Sequence, residues 1–213
     1  MRGELSHMLF AWLLSSGVVR VRVDLDSGWM QGVRHVPSPN CDARPDHVDA
    51  ELIVVHGISL PPGEFGGPWI DRLFTNKLPP EEHPYFAEIA TLKVSSHLCI
   101  RRDGALTQYV SFHDRAWHAG RSCYAGREDC NDFSIGIELE GTDTLPYEAV
   151  QYRTLADCVT VLLGAYPRLS ASRLVGHSDI APGRKTDPGP SFDWGLARRL
   201  IGESLNARRS LEA

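Results

Sequence analysis

Three apolar patterns along the chain predict the main elements of its fold. Leu52 to Val55 is a continuous apolar run of largely β-branched residues, which is typical of a strand buried on both faces. From Phe133 to Glu140 apolar and polar residues alternate, which predicts a strand with one apolar face. Between Tyr147 and Tyr166 apolar residues recur at helical spacing and Pro167 follows, so we predict the main helix there.

Shorter patterns fill the intervals between these elements. The run from Arg101 to Gly104 lies between two strand-like segments, and its Asp-Gly pair predicts a hairpin. Pro68 is expected to open a short helix, and a last helix is expected to begin near Asp193. Residues from Asp24 to Pro45 are rich in Pro, Gly and Asn, which indicates an extended arm.

Composition narrows the class of protein. The 213 residues are 42% hydrophobic and 23% charged, which is typical of one soluble globular domain. The net charge is −5 and no Lys/Arg-rich run occurs, so nucleic acid is not an expected partner. The five cysteines are odd in number and form no C-x-x-C motif, which argues against a disulfide framework or a thiolate zinc site. A reducing compartment is the simpler inference.

The first residues form a segment of different character. Met8 to Val19 is apolar but too short to span a bilayer, and no A-x-A cleavage site follows it. We expect residues 1–22 to be a dispensable extension and residues 23–213 to form the domain. A natural start of translation near Val21 or Val23 is our first interpretation of this segment, ahead of a weak signal peptide or a membrane-touching segment.

The segment from Gly176 to Pro190 contains the largest group of candidate functional side chains. It holds a histidine, two carboxylates and two cations among several Pro and Gly residues, which predicts a shaped loop. Taken alone it could equally be a polar surface loop. His177 and Asp187 are nevertheless good ligands for a divalent metal, and His56 follows the first buried strand. His56 also has a simpler interpretation, as a core histidine that is hydrogen-bonded to a backbone carbonyl.

A hydrolytic zinc site needs three protein ligands, a base and stabilisation of a developing oxyanion. His56, His177 and Asp187 fit the ligand set. Glu138 is the candidate base, and Gly136 beside it would leave space for a ligand. Lys185 is the candidate cation for the oxyanion. The alternative for Glu138 is a solvated sheet face, on which Ser134, Gly136 and Glu140 would also lie while Phe133, Ile135, Ile137 and Leu139 face the core.

Longer motifs add a family resemblance. Four segments of the chain resemble the 1,6-anhydro-N-acetylmuramyl-L-alanine amidases, the AmpD family: Val55 to Gly66, Arg115 to Gly120, Asn131 to Asp143 and Gly176 to Gly189. The resemblance extends in one register from about Gly28 to Leu200. It implies an α/β fold in a single domain, a mixed β-sheet flanked by helices, with zinc in a cleft above the sheet. The wider superfamily includes phage amidases and peptidoglycan recognition proteins.

The resemblance also implies roles for particular residues. The family pattern falls on the zinc ligands His56, His177 and Asp187, the catalytic residues Glu138 and Lys185, and the cleft-lining, substrate-binding residues Trp117, His118 and Arg184. One position departs from the pattern, because Gly57 stands where family members carry Asn. The loss of that amide is expected to weaken a substrate hydrogen bond without affecting the metal.

The implied reaction is hydrolysis of the amide between the lactyl group of N-acetylmuramic acid and the L-alanine of a stem peptide. Glu138 would take a proton from the attacking water and return it to the departing amine. The implied partner is a small muropeptide from cell-wall recycling in the cytoplasm, with no stable membrane insertion and no obligate protein partner. Two alternatives are a non-catalytic peptidoglycan-binding module, which would be expected to lack a ligand or the base, and an exported amidase acting on intact wall.

Overall fold

The computed structural model describes residues 12–13 and 20–212. Its strands are β1 (Trp12–Leu13), β2 (Arg20–Asp24), β3 (Trp29–Gln31), β4 (Arg34–His35), β5 (Cys41–Ala43), β6 (Leu52–Ile58), β7 (Leu98–Ile100), β8 (Leu106–Gln108), β9 (Asp114–Ala116), β10 (Cys123–Tyr124), β11 (Arg127–Glu128), β12 (Ser134–Glu140) and β13 (Leu174–Gly176). Its α-helices are α1 (Trp69–Phe74), α2 (Pro84–Ile89), α3 (Ala149–Ala165), α4 (His177–Ile180) and α5 (Trp194–Glu212). Short 3-10 helices cover Cys130–Phe133 and Ala171–Arg173.

The central sheet has six strands in the order β13-β6-β12-β7-β8-β4. Strands β13, β6, β12 and β7 run parallel, while β7 and β8 pair antiparallel as the predicted hairpin. The sheet is therefore mixed, as expected, and helices flank it. Strand β12 lies between β6 and β7, and all seven of its residues are buried.

One face of the sheet packs against the two long helices. Ile53 and Val55 of β6 join the inward residues of β12 and the apolar stripe of α3 in the main core. Because side chains alternate along a strand, the next residues of β6 and β12 point to the opposite face. His56 and Glu138 are paired in register across β6 and β12, so the sheet presents them side by side on that face.

Two details of β12 differ from the sequence prediction. The strand begins at Ser134, because Phe133 ends the preceding 3-10 helix and packs in a separate cluster with Leu52 and Val54. The guanidinium of Arg127 lies 3.9 Å from the centre of the Phe133 ring. The polar face of β12 is also not solvated, since Glu138 and its neighbours on that face are buried.

The segment from Asp24 to Pro45 is built into the domain rather than forming an arm. It contributes β3 and β5, and β4 pairs with β8 at the edge of the central sheet.

Val21 is only 2% exposed and packs into the main core, so a boundary at residue 22 cuts through β2. Residues 1–11 and 14–19, which include most of the apolar N-terminal run, lie outside the described residues. No helix in the described part of the chain has the length and apolar character needed to cross a membrane.

Candidate metal centre

Three parts of the chain converge on one point above the sheet. His56 lies within β6, and His177 is the first residue of α4, directly after β13. Strand β13 pairs with β6 in a register that sets Gly176 opposite Val55, which brings the two histidines together. Asp187 lies in the loop after α4, where its carbonyl accepts a hydrogen bond of 3.0 Å from the Ser178 amide. That bond turns the loop back towards His177.

The three side chains meet in a narrow triangle. The distances are 2.9 Å between the Nδ1 atoms of His56 and His177, 3.1 Å from His177 Nδ1 to Asp187 Oδ2, and 3.3 Å from His56 Nδ1 to the same oxygen. A tetrahedral zinc ion with bonds of ~2.0–2.1 Å holds its ligand atoms about 3.3 Å apart. The triangle therefore fits such an ion. Among the described residues, no other group of three histidine, cysteine or acidic side chains converges in this way.

The electrostatics of the triangle suit a cation. Burial lowers the pKa of His56 to about 4, so its imidazole is neutral at neutral pH. For Asp187, burial raises the pKa, but the close contacts of its carboxylate with the imidazoles of His177 and His56 outweigh burial and hold the pKa below its usual range. The neutral imidazole of His56, the imidazole of His177 and the carboxylate of Asp187 together form a ligand set that zinc accepts.

The outward-facing nitrogens of both histidines are also occupied. His177 Nε2 lies 3.1 Å from the carbonyl oxygen of Ala119, which can only accept, so this nitrogen carries the proton and Nδ1 keeps its lone pair. His56 Nε2 lies 2.9 Å from Nδ1 of His118. Such outer contacts fix the rotation and tautomer of a ligating histidine.

Glu138 lies beside the triangle, and one of its carboxyl oxygens has no hydrogen-bond partner. It is 8% exposed and lines the same cavity, and its Oε2 has no hydrogen-bond partner. Burial raises the pKa of Glu138 well above its usual value, the charge of Asp187 raises it further, and Lys185 lowers it. A carboxyl group with a raised pKa in a cavity is suited to exchange protons near neutral pH.

Glu140, the other carboxylate of this face, has a different environment. Its Oε1 accepts hydrogen bonds of 3.0 Å from Arg101 and 2.7 Å from the Gly66 amide, and its Oε2 accepts one of 3.2 Å from the Arg102 amide. These bonds tie the loop before α1 to the hairpin turn. Glu140 is therefore a structural residue, and Glu138 is the carboxylate available for chemistry.

The cavity in front of these groups has a volume of about 410 Å³. One wall consists of the three ligand candidates, Glu138 and Lys185. A second part of the lining is largely apolar and is formed by Leu60, Leu73, Phe74, Tyr85, Ile89 and Val94, which belong to one apolar cluster. Lys185 is exposed, with its backbone fixed by a hydrogen bond of 3.0 Å to the carbonyl of Ala181. The cavity can thus hold a ligand that has both polar and apolar groups.

The remaining predicted residues divide into two groups. His118 reaches the cavity wall, but Trp117 and Arg184 do not line it. Trp117 donates its indole N–H to Asp42 at 3.1 Å, and Arg184 donates to the carbonyls of Ala119 and Arg121 at 2.6 and 2.7 Å. Their contribution to substrate binding stays a prediction.

Two glycines of the site are explained by neighbours that sequence reasoning missed. A Cβ at Gly136 would lie 2.5 Å from the His118 ring, so this position makes room for His118 rather than for a ligand. A Cβ at Gly57 would lie 2.4 Å from the hydroxyl of Tyr147, which donates to the Pro188 carbonyl at 2.9 Å. Neither contact leaves a signal in the sequence, since each joins segments far apart in the chain.

The sequence model of the N-acetylmuramoyl-L-alanine amidase family matches residues 46–190, a range that contains the whole triangle, Glu138 and Lys185. The chain belongs to this family. Among its members, the 1,6-anhydro-N-acetylmuramyl-L-alanine amidase AmpD of Escherichia coli K12 is 61% identical over 179 residues, covering 84% of this chain and 97% of the relative. The protein of the same name from Haemophilus influenzae Rd is 51% identical over 171 residues, covering 80% of this chain and 93% of the relative.

Solved structures of the amidase family agree with the fold. The crystal structure of a Se-Met AmpD derivative is 60% identical in sequence, covers 84% of this chain and 98% of its own, and superposes with a TM-score of 0.81. The structure of AMPDH3 from Pseudomonas aeruginosa in complex with anhydromuramic pentapeptide is 28% identical, covers 71% of this chain and 59% of its own, and gives a TM-score of 0.52. The mixed sheet with flanking helices is therefore the fold of this family.

Proposed function

We propose that the protein is a zinc-dependent amidase that cleaves the amide between 1,6-anhydro-N-acetylmuramic acid and L-alanine in muropeptides. The observation that carries the proposal is the arrangement of His56, His177 and Asp187 around one point, 2.9–3.3 Å apart, with the unpaired carboxyl of Glu138 in the same cavity. The relatives that are about 60% identical over most of the chain bear the name of this activity.

Each residue of the site has a separate role in hydrolysis. His56, His177 and Asp187 would hold zinc, which when bound would acidify a water molecule and polarise the amide carbonyl. Glu138 accepts the proton of the attacking water. Lys185 places a positive charge at the cavity wall, where it stabilises the negative charge that develops on the carbonyl oxygen.

Proton transfer returns Glu138 to its starting state. The amine of L-alanine is a poor leaving group unless it is protonated, so the proton taken from water must be delivered to its nitrogen. The raised pKa of Glu138 favours its protonated form, which can donate the proton to that nitrogen. One carboxyl group thus acts first as a general base and then as a general acid.

The substrate class follows from the cavity and the relatives. AMPDH3 is seen in complex with an anhydromuramic pentapeptide, a ligand with a compact bicyclic sugar and a polar peptide. The cavity here is lined by both polar and apolar residues, which suits such a ligand. We place the reaction in cell-wall recycling in the cytoplasm. All five cysteines are free thiols, and Cys123 among them is exposed, in keeping with a reducing compartment.

Product analysis tests the proposal. Purified protein is incubated with an anhydro-N-acetylmuramyl tripeptide and with the corresponding reducing-end muropeptide, and products are identified by mass spectrometry. We expect free anhydro-N-acetylmuramic acid and intact peptide to appear, with the anhydro substrate cleaved faster. Binding of the anhydromuropeptide without cleavage by zinc-loaded protein would support the peptidoglycan-binding module instead.

A further inference from the structure

We infer that His118 is a positioning residue that fixes the tautomer and orientation of His56 through a directed chain of hydrogen bonds. The inference rests on the metal site proposed above. The chain runs from His56 through His118 and Ser134 to a backbone carbonyl. His118 reaches the cavity wall, whereas Ser134 and the carbonyl do not line the cavity.

The chain consists of three short contacts between buried groups. His56 Nε2 lies 2.9 Å from His118 Nδ1, and His118 Nε2 lies 3.0 Å from the hydroxyl oxygen of Ser134. That hydroxyl donates to the carbonyl oxygen of Cys130 at 2.5 Å. His118 is 8% exposed and Ser134 is fully buried, so water does not compete at the far end of the chain.

The last contact sets the direction of all the others. A carbonyl oxygen can only accept, so the single hydrogen of the Ser134 hydroxyl is committed to Cys130. The Ser134 oxygen must then accept from His118 Nε2, which leaves Nδ1 of a neutral His118 without a proton. This nitrogen accepts from His56 Nε2, and the Nδ1 atom of His56 is left with its lone pair facing His177 and Asp187.

The backbone holds this chain in place. The side-chain oxygen of Asn131 accepts from the amides of His118 and Ala119, at 3.1 and 2.7 Å. The carbonyl of Ala119 in turn accepts from His177 Nε2. The two consecutive residues 118 and 119 therefore orient both histidine ligands, one through a side chain and one through a carbonyl.

The test measures zinc affinity rather than catalysis. Apo wild-type protein and three variants, His118→Leu, His118→Asn and Ser134→Ala, are titrated with zinc in competition with a chelator of known affinity. Asparagine can place an oxygen acceptor near the position of Nδ1, whereas leucine offers none. Ser96→Ala is the matched control, because Ser96 is equally buried and its hydroxyl has no partner.

We expect His118→Leu to weaken zinc binding by about 10–100-fold, the usual effect of losing an outer-sphere partner of a ligating histidine. His118→Asn should recover most of the affinity, Ser134→Ala should lose about threefold to tenfold, and Ser96→Ala should bind like wild type. The thermal midpoints of the apo proteins are measured in parallel. Ser134→Ala keeps the test available if His118→Leu does not fold.

Two results would overturn the inference. One is unchanged zinc affinity in folded His118→Leu or in Ser134→Ala. The other is an equal loss of zinc affinity in the leucine and asparagine variants. That result would show that His118 acts by packing against His56 and not by accepting its hydrogen bond. Failure of the wild-type protein to bind zinc would instead refute the metal site itself, so the two proposals fail in different ways.

Discussion

Glu138 and Glu140 are two residues apart on one strand face, yet only one of them has an oxygen without a partner. We expect Glu138→Gln to lower the rate of amide cleavage by ~10²–10⁴, since the amide keeps the shape of the side chain and cannot accept the proton. Zinc content should stay near that of wild type. Steady-state rates and metal analysis of the same preparation check both expectations.

Glu140→Gln serves as the matched comparison for that experiment. It removes the charge that faces Arg101, at a residue that is 1% exposed, so its main effect should be a lower thermal midpoint. A folded Glu140→Gln protein that loses the rate, together with a Glu138→Gln protein that retains it, would show that the roles of the two carboxylates are reversed.

Lys185 is a single cation at the wall of the cavity, and its charge is needed most when negative charge develops on the carbonyl oxygen. We expect Lys185→Ala to lower kcat by about 10²–10³-fold, with zinc still bound. Lys185→Arg should lose less, because it keeps the charge. A rise in KM with kcat unchanged would show that Lys185 anchors the substrate and does not act in the transition state.

At the scale of single residues, the sequence indicated the chemical groups but not their surroundings. His56, His177, Asp187, Glu138 and Lys185 could be selected by residue type and motif, and the structure brings all five to one cavity. The position of His118 behind His56 depends on how β12 and the preceding 3-10 helix pack, and no local pattern encodes that contact.

At the scale of elements, Arg44 connects segments next to the site through hydrogen bonds. Its side chain is half-buried, and its guanidinium donates to the carbonyls of Phe112, Asn131, Asp132 and Ser134 at 2.8–3.3 Å, with no carboxylate among these partners. Burial lowers the pKa of Arg44 to about 10, so it remains charged at neutral pH. The bonds fix the 3-10 helix before β12, and with it Asn131 and Ser134.

We expect Arg44→Met to lower the free energy of unfolding by about 2–4 kcal/mol, because four carbonyl oxygens lose their charged donor. Arg168→Met is the matched control. Arg168 is more than half exposed and pairs with Asp49 and Glu51 at the surface, so its loss should cost less than about 1 kcal/mol. Urea denaturation monitored by circular dichroism measures both changes, and equal effects would contradict the role assigned to Arg44.

The elements that the sequence predicted are those with enough residues to show a period. Strands β6 and β12, helices α3 and α5, and the hairpin of β7 and β8 all appear, each with ends that differ by a few residues. Strands β3, β4 and β5 contain two or three residues each, too few for an alternation to be visible. Strand β3 pairs with the neighbouring β2, whereas β4 and β5 pair with the distant strands β8 and β9. The sequence of this segment therefore predicts only an extended arm.

At the scale of the whole molecule, buried histidines couple stability to pH. Burial lowers the pKa of His97 to about 3, against an ordinary value of 6.5, and the nearby charge of Arg44 lowers it further. The folded protein therefore keeps His97 neutral while the unfolded chain binds a proton below pH 6.5. The stability that depends on this group is fully present above that pH and is lost as the pH falls towards 3.

We expect the free energy of unfolding of the apo protein to fall on acidification below about pH 6.5, with His97 contributing up to about 1.4 kcal/mol per pH unit. His56 contributes in the same direction, while Glu138, whose pKa is raised by burial, opposes the trend. His97→Gln should have a shallower dependence than wild type. Unfolding curves from pH 7 to pH 4.5 measure it, and identical slopes for the two proteins would contradict this account.

The central claim is that the site at His56, His177 and Asp187 is a zinc centre on which cleavage of the muramyl–alanine amide depends. The most direct measurement follows hydrolysis of an anhydro-N-acetylmuramyl tripeptide by mass spectrometry with protein as isolated, after chelation, and after zinc is restored. We predict cleavage at the amide to L-alanine, its loss in verified metal-free protein, and its recovery with one zinc per chain. Full activity in the metal-free protein, or cleavage only at another bond, would contradict the account.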